Sequence, residues 1–389
     1  MARPLTVVPA QPVSAVSAAL TNALAGSSTI CVLPDAPSPV GNGWHSALHL
    51  DQPAPADIAA VVATSGSTGA PRAVLLTASA LLASAHAAMR RLAGPGAWVL
   101  ALPVSSVGGL QVLIRSAMTG VDPICLDLSG GFRAEDFAHA ATLLPAGLPH
   151  YVSLVPTQVR RIIDAGGPAL DALAGFDTVL VGGAALDREL RMAATNAGAR
   201  IVSTYGMTET SGGCVYDGIP LEGVHVRASP TGLRIGGAVV ARGYHAEPEA
   251  TRESFVDDWF LTNDIGQVDA NGVLSVTGRS DDVIISGGIN VAADAVAEAL
   301  RARPDVTDAA VFGRDDAEWG QAVIALVVPV AGARLELSEI RADVSARLGM
   351  AAAPREVITV AALPRLLSGK LDRVAAHLLA AGPATDEQA

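Results

Sequence analysis

The sequence predicts an α/β protein: a large N-terminal domain of layered α/β sheets carrying a β subdomain, then a small α+β C-terminal domain. Three observations predict it. Strand-like apolar runs alternate with helical patterns through the first two thirds of the 389 residues. From about 213 to 278 short strands are punctuated by turn pairs, Asp217-Gly218 and Asn271-Gly272. Past Asp281 a compact α+β unit restarts, of a size usual for a separate domain.

The elements follow in order. Residues 14–24 read as an amphipathic helix and 28–33 as a strand. Residues 58–64 are an apolar strand that ends in a Gly/Ser/Thr loop, and 79–92 a helix. A strand at 98–102 is ended by Pro103, followed by a helix at 109–119 and a strand at 123–126. Then come a helix at 133–144, a strand at 151–154, a helix at 156–164 that Pro156 starts, and a strand at 178–181 running into Gly182-Gly183. In the last unit the pattern gives a helix at 292–302, strands at 307–312 and 321–329, a helix at 337–348 and a strand at 356–360. The polar stretch Gly278-Arg279-Ser280-Asp281-Asp282 divides the chain into 1–280 and 281–389, and the tail after Gly382 reads as disordered.

Half of the residues are apolar, aromatics are scarce, and the formal charge is -12. That sign disfavours nucleic acid and anionic membranes as partners, yet a local pocket can oppose it for an anionic substrate. Cys31, Cys125 and Cys214 are far apart, odd in number and in no metal-ligand spacing, so free thiols in a reducing compartment are expected. The Ala-rich N-terminus is broken by Pro4, Pro9 and Pro12 and by polar Gln11, Ser14 and Ser17, which argues against a secretion signal. No apolar run reaches the roughly 18–20 residues needed to span a bilayer. A cytoplasmic protein without membrane insertion is expected. Of 26 basic residues only one is lysine, Lys370. A compact ammonium does work that a guanidinium fork cannot always do, although a strong arginine bias could leave one lysine anywhere.

Two segments carry chemistry. Thr64-Ser65-Gly66-Ser67-Thr68-Gly69-Ala70-Pro71-Arg72 follows a strand and supplies hydroxyls, flexible backbone N–H groups and a cation, the parts of an anion-wrapping loop. It lacks the order of a Walker A loop, and by itself it is equally a flexible Ser/Gly turn. Ser203-Thr204-Tyr205-Gly206-Met207-Thr208-Glu209-Thr210 offers an aromatic face, hydroxyls and one carboxylate, suited to a nucleobase, a phosphate and a divalent cation; read blandly, it is a strand-to-turn segment.

Together, and in this order, these segments resemble the adenylate-forming enzymes, the superfamily of acyl-CoA ligases, peptide-synthetase adenylation domains and luciferases. Val181-Gly182-Gly183-Ala184 is similar to the family's adenine-side segment. Thr262-Asn263-Asp264 is similar to its Thr-Gly-Asp. Gly278-Arg279-Ser280-Asp281-Asp282 resembles its hinge, Ser286-Gly287-Gly288 its pantetheine-tunnel loop, and Pro364-Arg365-Leu366-Leu367-Ser368-Gly369-Lys370-Leu371-Asp372-Arg373 its last core motif. The resemblance spans residues 61–373 and implies ATP, Mg²⁺ and coenzyme A, with a small-molecule carboxylate as the acyl donor. It assigns Thr64, Ser65, Gly66, Ser67, Thr68, Gly69 and Arg72 to the β- and γ-phosphates and Thr208 to the α-phosphate. Glu209 would bind Mg²⁺, Tyr205 and Gly206 would lie by adenine, and Asp264 and Arg279 by the ribose. Lys370 would bridge the attacking carboxylate and the phosphate. The small domain is implied to be mobile, swinging about Asp281 between two half-reactions.

The departures are Arg72 for lysine, Ala73 and Asn263 for glycine, Ile289 for glutamate, and serine at 105 and 106 where the family has an aromatic or histidine gate to the acyl pocket. About a hundred residues usual before the hydroxyl-rich loop are lacking. That shortening and the stretch from Leu102 to Ser116 resemble short actinobacterial o-succinylbenzoate–CoA ligases of menaquinone biosynthesis. Ser105 and Ser106 would then line the acyl pocket. Arg115 is the candidate cation for a second carboxylate, the alternative being a helix-surface arginine. Another aryl or aliphatic acid, a stand-alone adenylation enzyme loading a carrier protein, and a nucleotide-binding protein without catalysis stay open, as does a homodimer.

Overall fold

The computed structural model describes residues 2–33, 43–64, 72–229, 231–366, 369 and 371–381. Lys370, residues 65–69 of the hydroxyl-rich loop and the tail after Gly382 lie outside the described residues, as does the side chain of Asp281.

Parallel strands buried on both faces need apolar runs rather than alternation, and Ala97–Leu100 and Thr178–Val181 are buried at every residue. They lie in a seven-stranded sheet of order Ile219–Pro220, Gly212–Tyr216, Ile201–Met207, Thr178–Val181, His150–Leu154, Ala97–Leu100, Ile124–Cys125. The strands from Ile201–Met207 to Ile124–Cys125 are parallel, and the first two are antiparallel. One face packs through Phe137, Val159, Ile162 and Leu173 on the helices Ala134–Thr142, Pro156–Ala165 and Gly167–Gly175. The other packs Trp98 and Leu180 on the helices Val13–Leu24, Ala78–Arg91 and Val107–Thr119.

Those helices are shared with a second sheet of order Gly243–Tyr244, Arg72–Thr77, Ile58–Thr64, Thr29–Leu33, Leu5–Pro9, whose Val8, Ile30, Val62 and Val74 join the same core. The region expected to be β contains the antiparallel order Val224–Ser229, Gly232–Gly237, Trp259–Leu261, Phe255–Val256 and a separate hairpin, Asp264–Val268 with Leu274–Arg279. A single 3-10 turn, Ser280–Asp282, leads into Val283–Ser286, which opens the last sheet. There Gly320–Pro329 pairs with Val306–Asp316, Val283–Ser286 and Glu356–Thr359. Val296, Leu300, Ile340 and Val344 fill one face of that sheet, and Ala376 and Ala380 of the helix Arg373–Ala381 pack on the other with Ile324 and Leu326.

The structure adds elements that the pattern did not predict. The strands Leu5–Pro9 and Arg72–Thr77 are short and abut prolines and glycines that read as breakers. The helix Arg188–Asn196 buries only Leu190 and Ala194, too thin a stripe for periodicity to show, and its start is fixed by Asp187 Oδ1 accepting from Leu190 N at 2.6 Å. Among the described residues no helix is long and apolar enough to cross a membrane.

The cysteines divide by burial. Cys31 and Cys214 are fully enclosed, and desolvation pushes each thiol up to about 12, whereas Cys125 is exposed. An aromatic disulfide reagent at pH 8 should therefore titrate one thiol in the native protein and three after denaturation. Rapid reaction of more than one native thiol would contradict the packing around Cys31 and Cys214.

Candidate active site

In open α/β sheets, ligands sit beyond the carboxyl ends of the parallel strands. That edge holds Ser105 and Ser106 after Ala97–Leu100, Val155 and Thr157 after His150–Leu154, Gly182 and Gly183 after Thr178–Val181, and Thr208 and Glu209 after Ile201–Met207. Gln158 ties two of the strand ends together: its Oε1 accepts from Val155 N at 2.9 Å and its Nε2 donates to Ala101 O at 2.8 Å.

Glycine at 182 is set by close approach. A Cβ there would lie 2.2 Å from Thr204 Oγ1, which itself donates to Val181 O at 3.3 Å. Gly206 sits at a register shift between Ile201–Met207 and Gly212–Tyr216, where a Cβ would lie 2.2 Å from Gly212 O.

Two side-chain clusters flank Thr208. In the first, Tyr205 Oη donates to Asp264 Oδ2 at 2.7 Å, and Arg279 Nη1 donates to Asp264 Oδ1 at 3.1 Å. Asp264 is only 7% exposed, so its charge is shielded from water and held by two donors. Burial first, and then the Asp264 charge, hold the Tyr205 phenol above its ordinary range, so it stays a neutral donor. Asn263 is not among the described residues with left-handed φ, and its backbone oxygen accepts from Ser280 N at 2.7 Å and Ser280 Oγ at 3.1 Å. Replacing the usual glycine thus leaves Asp264 in place.

In the second cluster Tyr244 Oη donates to Glu209 Oε1 at 3.1 Å, and the Arg72 guanidinium lies 5.1 Å over the Tyr244 ring. Arg72 Nε is also 3.4 Å from Glu247 Oε2. Burial, then the Glu209 charge, raise the Tyr244 phenol as well. Tyr244 and Glu247 were not identified from the sequence. Gly243–Tyr244 is a two-residue strand beside Arg72–Thr77, too short for any periodicity to mark it.

The serines and Arg115 behave differently from expectation. Ser106 caps the helix Val107–Thr119: its Oγ donates to Pro103 O at 2.7 Å and accepts from Gly109 N at 3.2 Å, so this hydroxyl is committed to the helix start. Ser105 is half-buried beside it. Arg115 is 3% exposed, with its guanidinium 5.2 Å over the Trp98 ring. It is therefore not a helix-surface arginine. Its packing is that of a core residue.

In the last sheet, Gly287 (φ +60°) and Gly288 (φ +76°) form a two-residue hairpin turn that requires left-handed backbone at both positions, with Ser286 opposite Ile289. Ile289 is 57% exposed. The described neighbour of Lys370 contacts the large domain: a Cβ on Gly369 would lie 2.9 Å from Val155 Cγ2 and 3.2 Å from Thr157 Oγ1. Gly369 therefore faces the same strand edge as Gly182 and Thr208.

Substituting Gly182→Ala should displace Thr204 and weaken binding of an adenine nucleotide by at least about tenfold, with the melting temperature lowered by only a few degrees. Unchanged affinity in a titration with AMP would show that this close approach does not shape the site.

Comparison with known proteins agrees with the geometry. The model of the AMP-binding enzyme family matches residues 7–241, and that of the AMP-binding enzyme C-terminal domain matches residues 295–370. A probable 2-succinylbenzoate–CoA ligase of Mycobacterium tuberculosis is 44% identical over 85% of this chain and 86% of its own length. A sulfoacetate–CoA ligase of Cupriavidus necator is 30% identical over 93% of this chain and 75% of its own. Among solved structures, the o-succinylbenzoate CoA synthetase (MenE) of Bacillus subtilis in complex with the acyl-adenylate intermediate OSB-AMP superimposes with a TM-score of 0.78. It covers 95% of this chain and 87% of that one at 21% identity, a likeness of fold. The chain belongs to the family of AMP-binding enzymes.

Proposed function

We propose that this chain is an ATP-dependent, AMP-forming acid–CoA ligase that converts o-succinylbenzoate to o-succinylbenzoyl-CoA in cytoplasmic menaquinone biosynthesis. The observation that carries the reading is the Tyr205–Asp264–Arg279 cluster beside Thr208 and Glu209 at the carboxyl edge of the parallel strands. The substrate rests on the 44% identity to the mycobacterial relative.

A carboxylate oxygen attacks the α-phosphorus of ATP, the bond to the bridging oxygen breaks, and pyrophosphate leaves. The thiol sulfur of coenzyme A, its proton lost to solvent, then attacks the acyl carbonyl, and AMP leaves. The first step brings two anions together, so catalysis is positioning and charge neutralisation. Gly182, Gly183, Ala184 and Gly206 give adenine a close-fitting backbone wall, with the Tyr205 ring beside it. Asp264, its charge shared between a phenol and a guanidinium, accepts from ribose hydroxyls. Thr64, Arg72 and the loop residues 65–69 take the outer phosphates, and Thr208 takes the α-phosphate.

Among the described residues there is no cluster of three or more His, Cys, Asp or Glu that could cage a metal. Mg²⁺ keeps several waters and is held by one or two carboxylates plus substrate phosphates, so it needs no such cage. Glu209, oriented by the Tyr244 hydroxyl, is the carboxylate that would hold it, and the ion would neutralise charge on the triphosphate. Lys370 supplies the cation between the two reacting anions. The Gly287-Gly288 turn, lacking side chains, leaves a path for the pantetheine arm once the small domain swings about Asp281. Ser105 stays as the acyl-pocket candidate, and Arg115, packed over Trp98, stays the candidate cation for a second carboxylate.

Purified protein with ATP, Mg²⁺ and coenzyme A should use o-succinylbenzoate with a kcat/KM at least about a hundredfold above benzoate or fatty acids, the discrimination expected of a site built for a second polar group. Similar rates across such a panel would sink the substrate assignment. Lys370→Ala should lower ATP–pyrophosphate exchange by about 10²–10³, the loss typical of one charge-stabilising donor. Thioester formation from supplied acyl-adenylate should remain within a few fold of wild type; equal loss in both half-reactions would mean that the lysine has another role.

A further inference from the structure

Asp282 follows the hinge residue and is enclosed, its side chain 8% exposed. Its Oδ1 accepts from Arg373 Nη2. Its Oδ2 is buried without a hydrogen-bond partner among the described residues and lies 3.9 Å from Arg279 Nε. Arg279 in turn holds Asp264, which holds Tyr205. A line of alternating polar and charged groups thus runs Tyr205–Asp264–Arg279–Asp282–Arg373. It starts at the carboxyl end of a central strand and ends at the first residue of the last helix, three residues beyond Lys370. A cavity of about 260 Å³ beside it is lined by Ile265, Thr277, Gly278, Arg279, Asp282 and Val283.

The segment around Lys370 is tied to the same unit. Arg365 Nη1 donates to Gly369 O at 3.0 Å, Arg365 Nη2 pairs with Asp308 at 2.5 Å, and Asp372 N donates to Pro364 O at 2.9 Å. Gly369 rests on Val155 and Thr157. The Asp282–Arg373 pair lies wholly beyond residue 281, so rotation about the hinge preserves it. The Asp282–Arg279 approach spans the hinge, and rotation breaks it. A buried carboxylate between two guanidiniums is costly to strip of either.

We propose that Asp282 is a positioning residue: its carboxylate, shared between Arg279 and Arg373, holds the small domain in the orientation that the adenylate-forming step uses. This rests on the ligase reading for its effect on rate. It does not rest on that reading for its effect on domain orientation.

The test uses Asp282→Asn, which keeps the shape and removes the charge, and Asp282→Glu, which restores it. Asp282→Asn should lower kcat for ATP–pyrophosphate exchange about tenfold, within the usual range for coupled sites, with the KM for ATP and the rate of thioester formation from supplied acyl-adenylate each within about twofold of wild type. Asp282→Glu should recover most of the exchange rate. A readout free of chemistry accompanies it: spin labels at Glu189→Cys and Glu339→Cys, both exposed, with exposed Cys125→Ser as background. The interdomain distance distribution of the unliganded protein should broaden in Asp282→Asn and narrow again in Asp282→Glu. Equal slowing of both half-reactions, or a distance distribution that Asp282→Asn leaves unchanged, overturns the proposal. If the wild type exchanges pyrophosphate with no acid, the ligase reading falls, while the label distances still decide the role of Asp282.

Discussion

The arrangement of the site depends on one buried carboxylate. Asp264 stands at the start of a hairpin strand, 7% exposed, and accepts from a phenol on the central sheet and a guanidinium on the partner strand. An isolated charge in that position would be costly; with two donors it becomes a fixed acceptor. It also joins three chain segments that are remote in sequence: Ile201–Met207, Asp264–Val268 and Leu274–Arg279. The hairpin carries Arg279 to the edge of the last sheet, so the place where the two domains meet is set by the same carboxylate that is proposed to meet the ribose.

Around that anchor the backbone is brought close by the absence of side chains. Gly182 permits Thr204 to approach, and Gly206 permits the chain to cross Gly212. The departures from the family pattern fall where this framework tolerates them. At 263 the position needs a backbone oxygen for Ser280 rather than left-handed φ, so asparagine serves. At 72 a guanidinium lies over the Tyr244 ring while pairing with Glu247, two contacts that a forked guanidinium can make at once. At 106 the serine caps the helix Val107–Thr119.

Most of the layered architecture was legible because parallel strands buried on both faces leave continuous apolar runs, as Thr178–Val181 does, and because helices such as Val107–Thr119 carry a cap, a stripe and a closing glycine. The site was legible only as ordered motifs. Tyr205, Asp264 and Arg279 each matched a motif, but the bonds that join them span 59 and 15 positions and have no local signature. Tyr244 was missed because a two-residue strand has no period. The burial of Arg115 against Trp98 was not legible, because a buried arginine on an aromatic ring looks, in sequence, like any polar residue on a helix.

The overall charge of -12 makes it less obvious how a site for a polyphosphate could work. The arginines at the edge of the site are already matched: Arg72 with Glu247, Arg279 with Asp264 and Asp282, Arg373 with Asp282. Each pair keeps a guanidinium partly desolvated and oriented before any anion arrives. In the proposed mode of binding, an incoming phosphate or ribose exchanges partners with a carboxylate instead of stripping water from a free cation, which lowers the reorganisation required on binding. Guanidiniums suit this because their forked donors can serve two acceptors at once. The step that brings two anions together has a different requirement, a single compact charge that can follow the reacting oxygens. In a chain with 25 arginines, the one lysine falls in the motif where the resemblance places that charge. Of the described residues on either side of it, Gly369 lies against Val155 and Thr157 of the large domain, and Arg373 pairs with Asp282 beside the hinge.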